Sequence, residues 1–115
     1  MKAWHDVGSL ETLERQRCLI TRVGGREIGV IMAGDRPRAL RNRCPHQGGP
    51  LCRGSLRERL RGTPGRYEVQ SGVTLSCPWH GWEFDLETGR CPEDPTMRVA
   101  VYSVRIQQGR VLVEA

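Results

Sequence analysis

The sequence predicts an all-β fold, a small antiparallel β-sandwich or partial barrel, and three observations carry that reading. Short runs rich in Val, Ile, Leu and Thr recur at close spacing, and most are separated by glycine-containing pairs. Fourteen glycines and seven prolines in 115 residues call for many turns between short elements. Only Gly8 to Arg15 reads as helical, with Ser9 as its N-cap, and it is too short to organise a fold.

In chain order, Arg17 to Val23 and Arg26 to Met32 flank Gly24-Gly25 and read as a hairpin. A run from Ala39 to Arg43 leads into Cys44. Tyr67 to Gln70 and Val73 to Ser76 flank Ser71-Gly72 and are expected to form a second hairpin that delivers the chain to Cys77. Trp82 to Asp85 alternates like a strand, and a turn at Thr88-Gly89 follows it. Val99 to Ile106 and Val111 to Val113 make a last hairpin across Gln107 to Gly109. Seven to ten strands are expected, and with no internal repeat and no long linker, residues 1–115 read as one domain.

Composition narrows the functional classes. A hydrophobic content of 37% with 27% charged residues is that of a globular chain. No apolar run approaches the roughly 18 residues of a membrane helix. The opening Met1-Lys2-Ala3-Trp4-His5-Asp6 lacks the apolar stretch of a signal peptide, so a cytoplasmic location is expected and no membrane partner. Charge is polarised: nine arginines against Glu58 lie between Arg36 and Arg66, and five acids against Arg90 lie between Glu83 and Asp94. Such asymmetry either orients a charged partner or is merely solvated. Nucleic acid is not expected, because the basic stretch has almost no aromatic residues for base stacking. The acids Glu83, Asp85, Glu87, Glu93 and Asp94 read as turn residues, not catalytic ones.

Five cysteines, an odd number, in a chain without an export signal argue against a disulfide framework. Cys18 is expected to be a buried thiol, and Cys52 and Cys91 to be thiols outside any disulfide. The other two cysteines sit in motifs, Cys44-Pro45-His46-Gln47-Gly48-Gly49-Pro50-Leu51 and Cys77-Pro78-Trp79-His80-Gly81-Trp82. Each places one thiolate and one imidazole on a Pro/Gly-rich loop after a strand. Two sulfur and two nitrogen donors suit either tetrahedral zinc or an iron–sulfur cluster of mixed ligation. The C-x-H pair is tighter than structural zinc usually employs, and loops that each supply both ligand types suit the cluster.

The two boxes, read together with Glu83, Phe84 and Asp85, resemble the Rieske family, its ferredoxins and oxygenase domains more than its respiratory members. The resemblance extends over nearly the whole chain. It implies a Rieske-like fold with two cluster-binding loops and one [2Fe–2S] cluster on Cys44, His46, Cys77 and His80. It further implies an electron carrier, passing single electrons from a reductase to a terminal oxygenase. A runner-up reading is an accessory subunit of a larger redox enzyme, such as the small subunit of an assimilatory nitrite reductase; a redox-sensing or scaffold module is a third. No catalytic residue is expected in the chain itself: with His46 and His80 used, only His5 is left, too few for a mononuclear two-histidine iron site. Respiratory relatives brace their loops with a disulfide and place hydroxyls after the second box. Gly49, Trp79, Trp82 and Phe84 stand at those positions, so a low potential is expected. The segment Arg53 to Gly65 lengthens the interval between the boxes and is expected to be a surface loop or an extended hairpin. Neither the oligomeric state nor the role of that segment follows from the sequence.

Overall fold

The computed structural model describes residues 2–33, 36–45, 48–63, 66–78, 82–92, 94 and 96–115, with the backbone alone for Ser55, 57–63 and 66–73. His46, Trp79, His80 and Glu93 lie outside the described residues. In chain order the elements are β1 (Trp4–Ser9), α1 (Leu10–Gln16), β2 (Cys18–Val23), β3 (Arg26–Ala33), β4 (Arg36–Arg41), a 3-10 turn (Leu51–Arg53), β5 (Ser55–Thr63), β6 (Arg66–Ser76), β7 (Glu83–Asp85), β8 (Val101–Gln107) and β9 (Arg110–Glu114). The fold is all-β with one short helix. Six strands form an antiparallel sheet in the order β1-β9-β8-β4-β3-β2, and β5-β6-β7 form a second.

Turn chemistry sets two of the hairpins. Gly24 and Gly25 both have positive φ, +57° and +79°, and join β2 to β3 with Val23 opposite Arg26. Gln108 and Gly109 repeat the device between β8 and β9, at φ +51° and +73°. Two successive left-handed residues match the strand twist, which is why such pairs nucleate tight hairpins. The helix begins where the sequence predicts: Ser9 Oγ accepts the Thr12 N–H at 3.0 Å, satisfying one of the N–H groups the first turn leaves over.

Two expectations are corrected. Ser71-Gly72 is not a turn. Residues 66–76 run as one eleven-residue strand, and the pairing steps from Glu58 opposite Val73 to Arg59 opposite Gln70. Ser71 and Gly72 are therefore bulged out of a continuous ladder. The true partner of β6 is β5, Ser55–Thr63, so the described part of the Arg53 to Gly65 segment is a strand of the expected extended hairpin. The strand before Cys44 is also shifted, to Arg36–Arg41. The first strand, β1, has no strong sequence signal of its own; it is held by pairing with β9, from Trp4 opposite Glu114 to Ser9 opposite Arg110.

The core has two centres. Leu13 of α1 packs with Ile28, Val30, Ala39, Val111 and Val113 on the large sheet. A second cluster brings Leu40, Cys44 and Leu51 against Leu75, Cys77, Phe84, Leu86 and Cys91 of the small-sheet region. Leu51, Leu75 and Phe84 are fully buried there; each such side chain stabilises by roughly 1.5–3 kcal/mol relative to exposure. This second cluster is where the two boxed motifs meet.

Candidate metal centre

The first motif begins two residues after β4. Cys44 donates its N–H to the Gly49 carbonyl at 2.8 Å and accepts the Gly48 N–H at 2.7 Å, so the chain from 44 to 49 closes on itself. The second motif connects β6 to β7 like a hairpin loop. Its base is the Ser76–Glu83 strand pair, and the Cys77 N–H donates to the Trp82 carbonyl at 2.7 Å. Each motif is therefore a short closed loop with its cysteine at the base. His46 and His80 fall within the two loop intervals and lie outside the described residues.

Cys44 is 1% exposed and Cys77 3%, both belong to the same apolar cluster, and neither is in a disulfide. Phe84 and Leu75, paired across β7 and β6, wall this cluster from below. Gly54 brings the loops together: a Cβ there would run into the Ser76 carbonyl oxygen, so only glycine lets the end of the first loop lie against the residue before Cys77. Among the described residues, no three potential metal-binding side chains group together.

Two features escaped the sequence reading. Cys18 and Cys52, 34 positions apart in sequence, are joined by a disulfide with Cα atoms 6.0 Å apart. This corrects the expectation of a buried thiol at Cys18 and a thiol outside any disulfide at Cys52; Cys91 does remain a buried thiol. The odd cysteine count argued against a framework of bridges, but it says nothing of a single pair brought together by the fold. The second feature is Asn42, 6% exposed. Its Oδ1 accepts the Cys52 N–H at 2.6 Å and its Nδ2 donates to Glu27 Oε1 at 2.8 Å. Asn42 enters the first loop and Cys52 leaves it, so one amide ties the two ends together. Its only sequence signal is a polar residue two positions before a candidate ligand.

Of the acids expected as turn residues, Asp85 and Asp94 hold turns, whereas Glu83 sits in strand β7 opposite Ser76 and Glu87 pairs with Arg38. Asp85 Oδ1 accepts the Glu87 and Thr88 N–H groups at 2.8 and 3.0 Å. Asp94 Oδ1 accepts from the Thr96 hydroxyl and N–H, which holds its carboxyl below the usual range.

Comparison with known proteins follows the same lines. Residues 3–104 match the profile of the Rieske [2Fe–2S] domain. The oxygenase component of chloroacetanilide N-alkylformylase from Rhizorhabdus wittichii is 38% identical over 79 residues, 67% of this chain and 18% of that protein. Ferredoxin CarAc of Metapseudomonas resinovorans is 28% identical over 95 residues, 82% of this chain and 76% of the ferredoxin. Among solved structures, a protein assigned as the small subunit of an NADH-dependent nitrite reductase from Mycobacterium tuberculosis superposes with a TM-score of 0.77. That pair shares 23% identity, with 100% of this chain and 96% of the other covered, and shows the fold. The chain spans less than a fifth of the oxygenase component but most of the ferredoxin.

The two described cysteines of the motifs suit a [2Fe–2S] group. Cys44 and Cys77 are both buried, outside any disulfide, in one apolar cluster. Thiolate sulfur is the donor that such clusters require.

Proposed function

Because the chain belongs to the Rieske [2Fe–2S] domain family, whose cluster has two cysteine and two histidine ligands, we propose that it is a low-potential electron-transfer protein. The observation that carries this reading is the pair of closed loops whose cysteines share one buried apolar cluster. Cys44 and Cys77 would hold one iron, and His46 and His80 the other. The cluster supplies a reversible single-electron store. The chain's own part is structural: Phe84, Leu75 and Leu51 exclude water from the sulfur side, and the loop hydrogen bonds fix where each thiolate points. Cytoplasmic location, a reductase as donor and an oxygenase as acceptor complete the proposal.

The coverage of ferredoxin CarAc, whose length the chain largely matches, supports the carrier reading over an oxygenase fragment. The second reading, an accessory subunit of a larger enzyme such as nitrite reductase, is supported by the end-to-end fold likeness. Co-purification decides: a flavin reductase and oxygenase support the first, and a sirohaem enzyme the second.

The midpoint potential tests the low-potential assignment. Rieske centres span roughly −150 to +300 mV, and hydrogen bonds to cluster sulfurs raise the value by stabilising the reduced state. Trp82 and Phe84 carry no hydroxyl, and Phe84 is fully buried in the cysteine cluster. Voltammetry at neutral pH is expected to place this protein toward the lower end. A value near the upper end contradicts the assignment.

A further inference from the structure

Arginines gather where the first loop meets solvent. A cleft of about 420 Å³ on one side of that loop is lined by Arg22, Arg41, Arg43, Gly48 and Pro50. A second, of about 280 Å³, is lined by Arg41, Arg43, Pro45 and Arg98. Arg41 and Arg43 belong to both, so the two clefts form one continuous basic face across the loop. Arg43 lies along the loop itself: a Cβ at Gly48 would be 3.3 Å from its Nε. Arg98, an exposed arginine, is held by a backbone bridge to Arg90.

Among the described residues, Glu27 is the only acid lining either cleft, and it is already engaged. Its Oε1 accepts from Asn42, and its Oε2 lies 3.7 Å from the Arg22 guanidinium. Among the described residues, no carboxylate pairs with Arg41, Arg43 or Arg98. Three exposed guanidinium groups without such a counter-charge leave a positive field centred on one loop.

We infer that this arginine face docks a redox protein through an acidic surface, with the first loop at the centre of the contact. The inference rests on the electron-carrier reading above. A positive patch meeting a negative one steers encounter and orients it, which matters most where a partner is met briefly and often. Nucleic acid fits less well, since among the described residues neither cleft is lined by an aromatic side chain on which a base would stack.

The experiment uses stopped-flow electron exchange with two probes. Flavodoxin hydroquinone, acidic, gives one electron to the oxidised protein and becomes the semiquinone. Ferricytochrome c, basic, takes one electron from the reduced protein. The collar variant Arg41→Ser/Arg43→Ser/Arg98→Ser is compared with Lys2→Ser/Arg15→Ser/Arg105→Ser, which has the same net charge and lies outside both clefts. At low ionic strength the collar variant is expected to slow the flavodoxin reaction about tenfold, the control less than about twofold, with the difference vanishing at high salt. With cytochrome c the collar variant is expected to react faster than wild type. Should the triple collar variant lose its cluster, Arg98→Ser alone is expected to show the same direction at a smaller size.

Equal effects of collar and control variants overturn the inference while leaving the carrier reading intact. Tight binding of an oligothymidylate at physiological salt, lost in the collar variant, also overturns it and assigns the face to nucleic acid. Failure of the cluster-loaded wild type to exchange electrons with either probe overturns the carrier reading and this inference with it.

Discussion

The two motif loops solve the same problem by different means. The second loop spans β6 and β7, neighbours in one sheet, so ladder pairing from Thr74–Asp85 to Ser76–Glu83 closes its base, with the Thr74 hydroxyl donating to Glu83 Oε1 at 3.4 Å beside it. The first loop leaves β4 of the large sheet and arrives at β5 of the small one. Among the described residues, no strand ladder crosses its base. Asn42, the Cys18–Cys52 bond and the close approach of Gly54 to Ser76 do instead what strand pairing does for the second loop. A loop within a sheet inherits its geometry from the backbone, whereas a loop between sheets has to be fastened by particular side chains.

The largest effect is expected where both loops depend on the same chemistry. Cys44→Ser and Cys77→Ser each remove a buried thiolate, and both variants are expected to lose iron and acid-labile sulfide entirely. Metal and sulfide analysis checks this. Full retention in either variant places the ligands elsewhere.

Fastening by side chains predicts asymmetry below that level. Cys18→Ser and Cys52→Ser open a 34-residue link, and each is expected to cost about 2–4 kcal/mol in urea unfolding. The same variants are expected to lose cluster faster to a chelator, since the far end of the first loop is released. An unfolding midpoint unchanged from wild type, or free thiols at both positions in unreduced protein, contradicts the comparison.

Asn42→Ala strands the half-buried Cys52 N–H and one oxygen of Glu27 and is expected to cost about 1–3 kcal/mol. Asn42→Asp combined with Glu27→Gln keeps the acceptor for Cys52 and reverses the second bond without opposing two carboxylates, and is expected to restore part of it. Equal losses in the two variants show that the amide contributes packing alone.

What was legible in the sequence follows the same division. Features set locally were read correctly: the Gly24-Gly25 hairpin and the Ser9 cap. Features set by distant partners were not. β1 exists through β9, and the Ser71-Gly72 pair looked like a turn because its bulge is defined only by β5 opposite. Cys18 and Cys52 carry no mark of their pairing, and the importance of Asn42 appears only once burial and its two partners are known. The second loop was legible with its flanking strands; the first loop's fastening was not.

The smallest effect concerns the seam between β1 and β9, far from either motif. Arg110 donates to both oxygens of Asp6, at 2.9 to 3.3 Å, and holds its carboxyl below the usual 3.8. A lowered native value means the pair stabilises above pH 3.8 and loses that contribution as pH falls further. Asp6→Asn is expected to be slightly less stable than wild type at pH 7, with the gap closing below pH 3.8. A gap that persists in acid contradicts the assignment to this ion pair.

The central claim is that the two loops together hold one mixed-ligand cluster, and pulsed EPR of the dithionite-reduced protein tests it most directly. The account predicts a one-electron paramagnetic centre with hyperfine couplings to two imidazole nitrogens, one of which disappears in His46→Cys and one in His80→Cys. A signal without nitrogen couplings, or a protein that holds zinc and gives no signal, contradicts it.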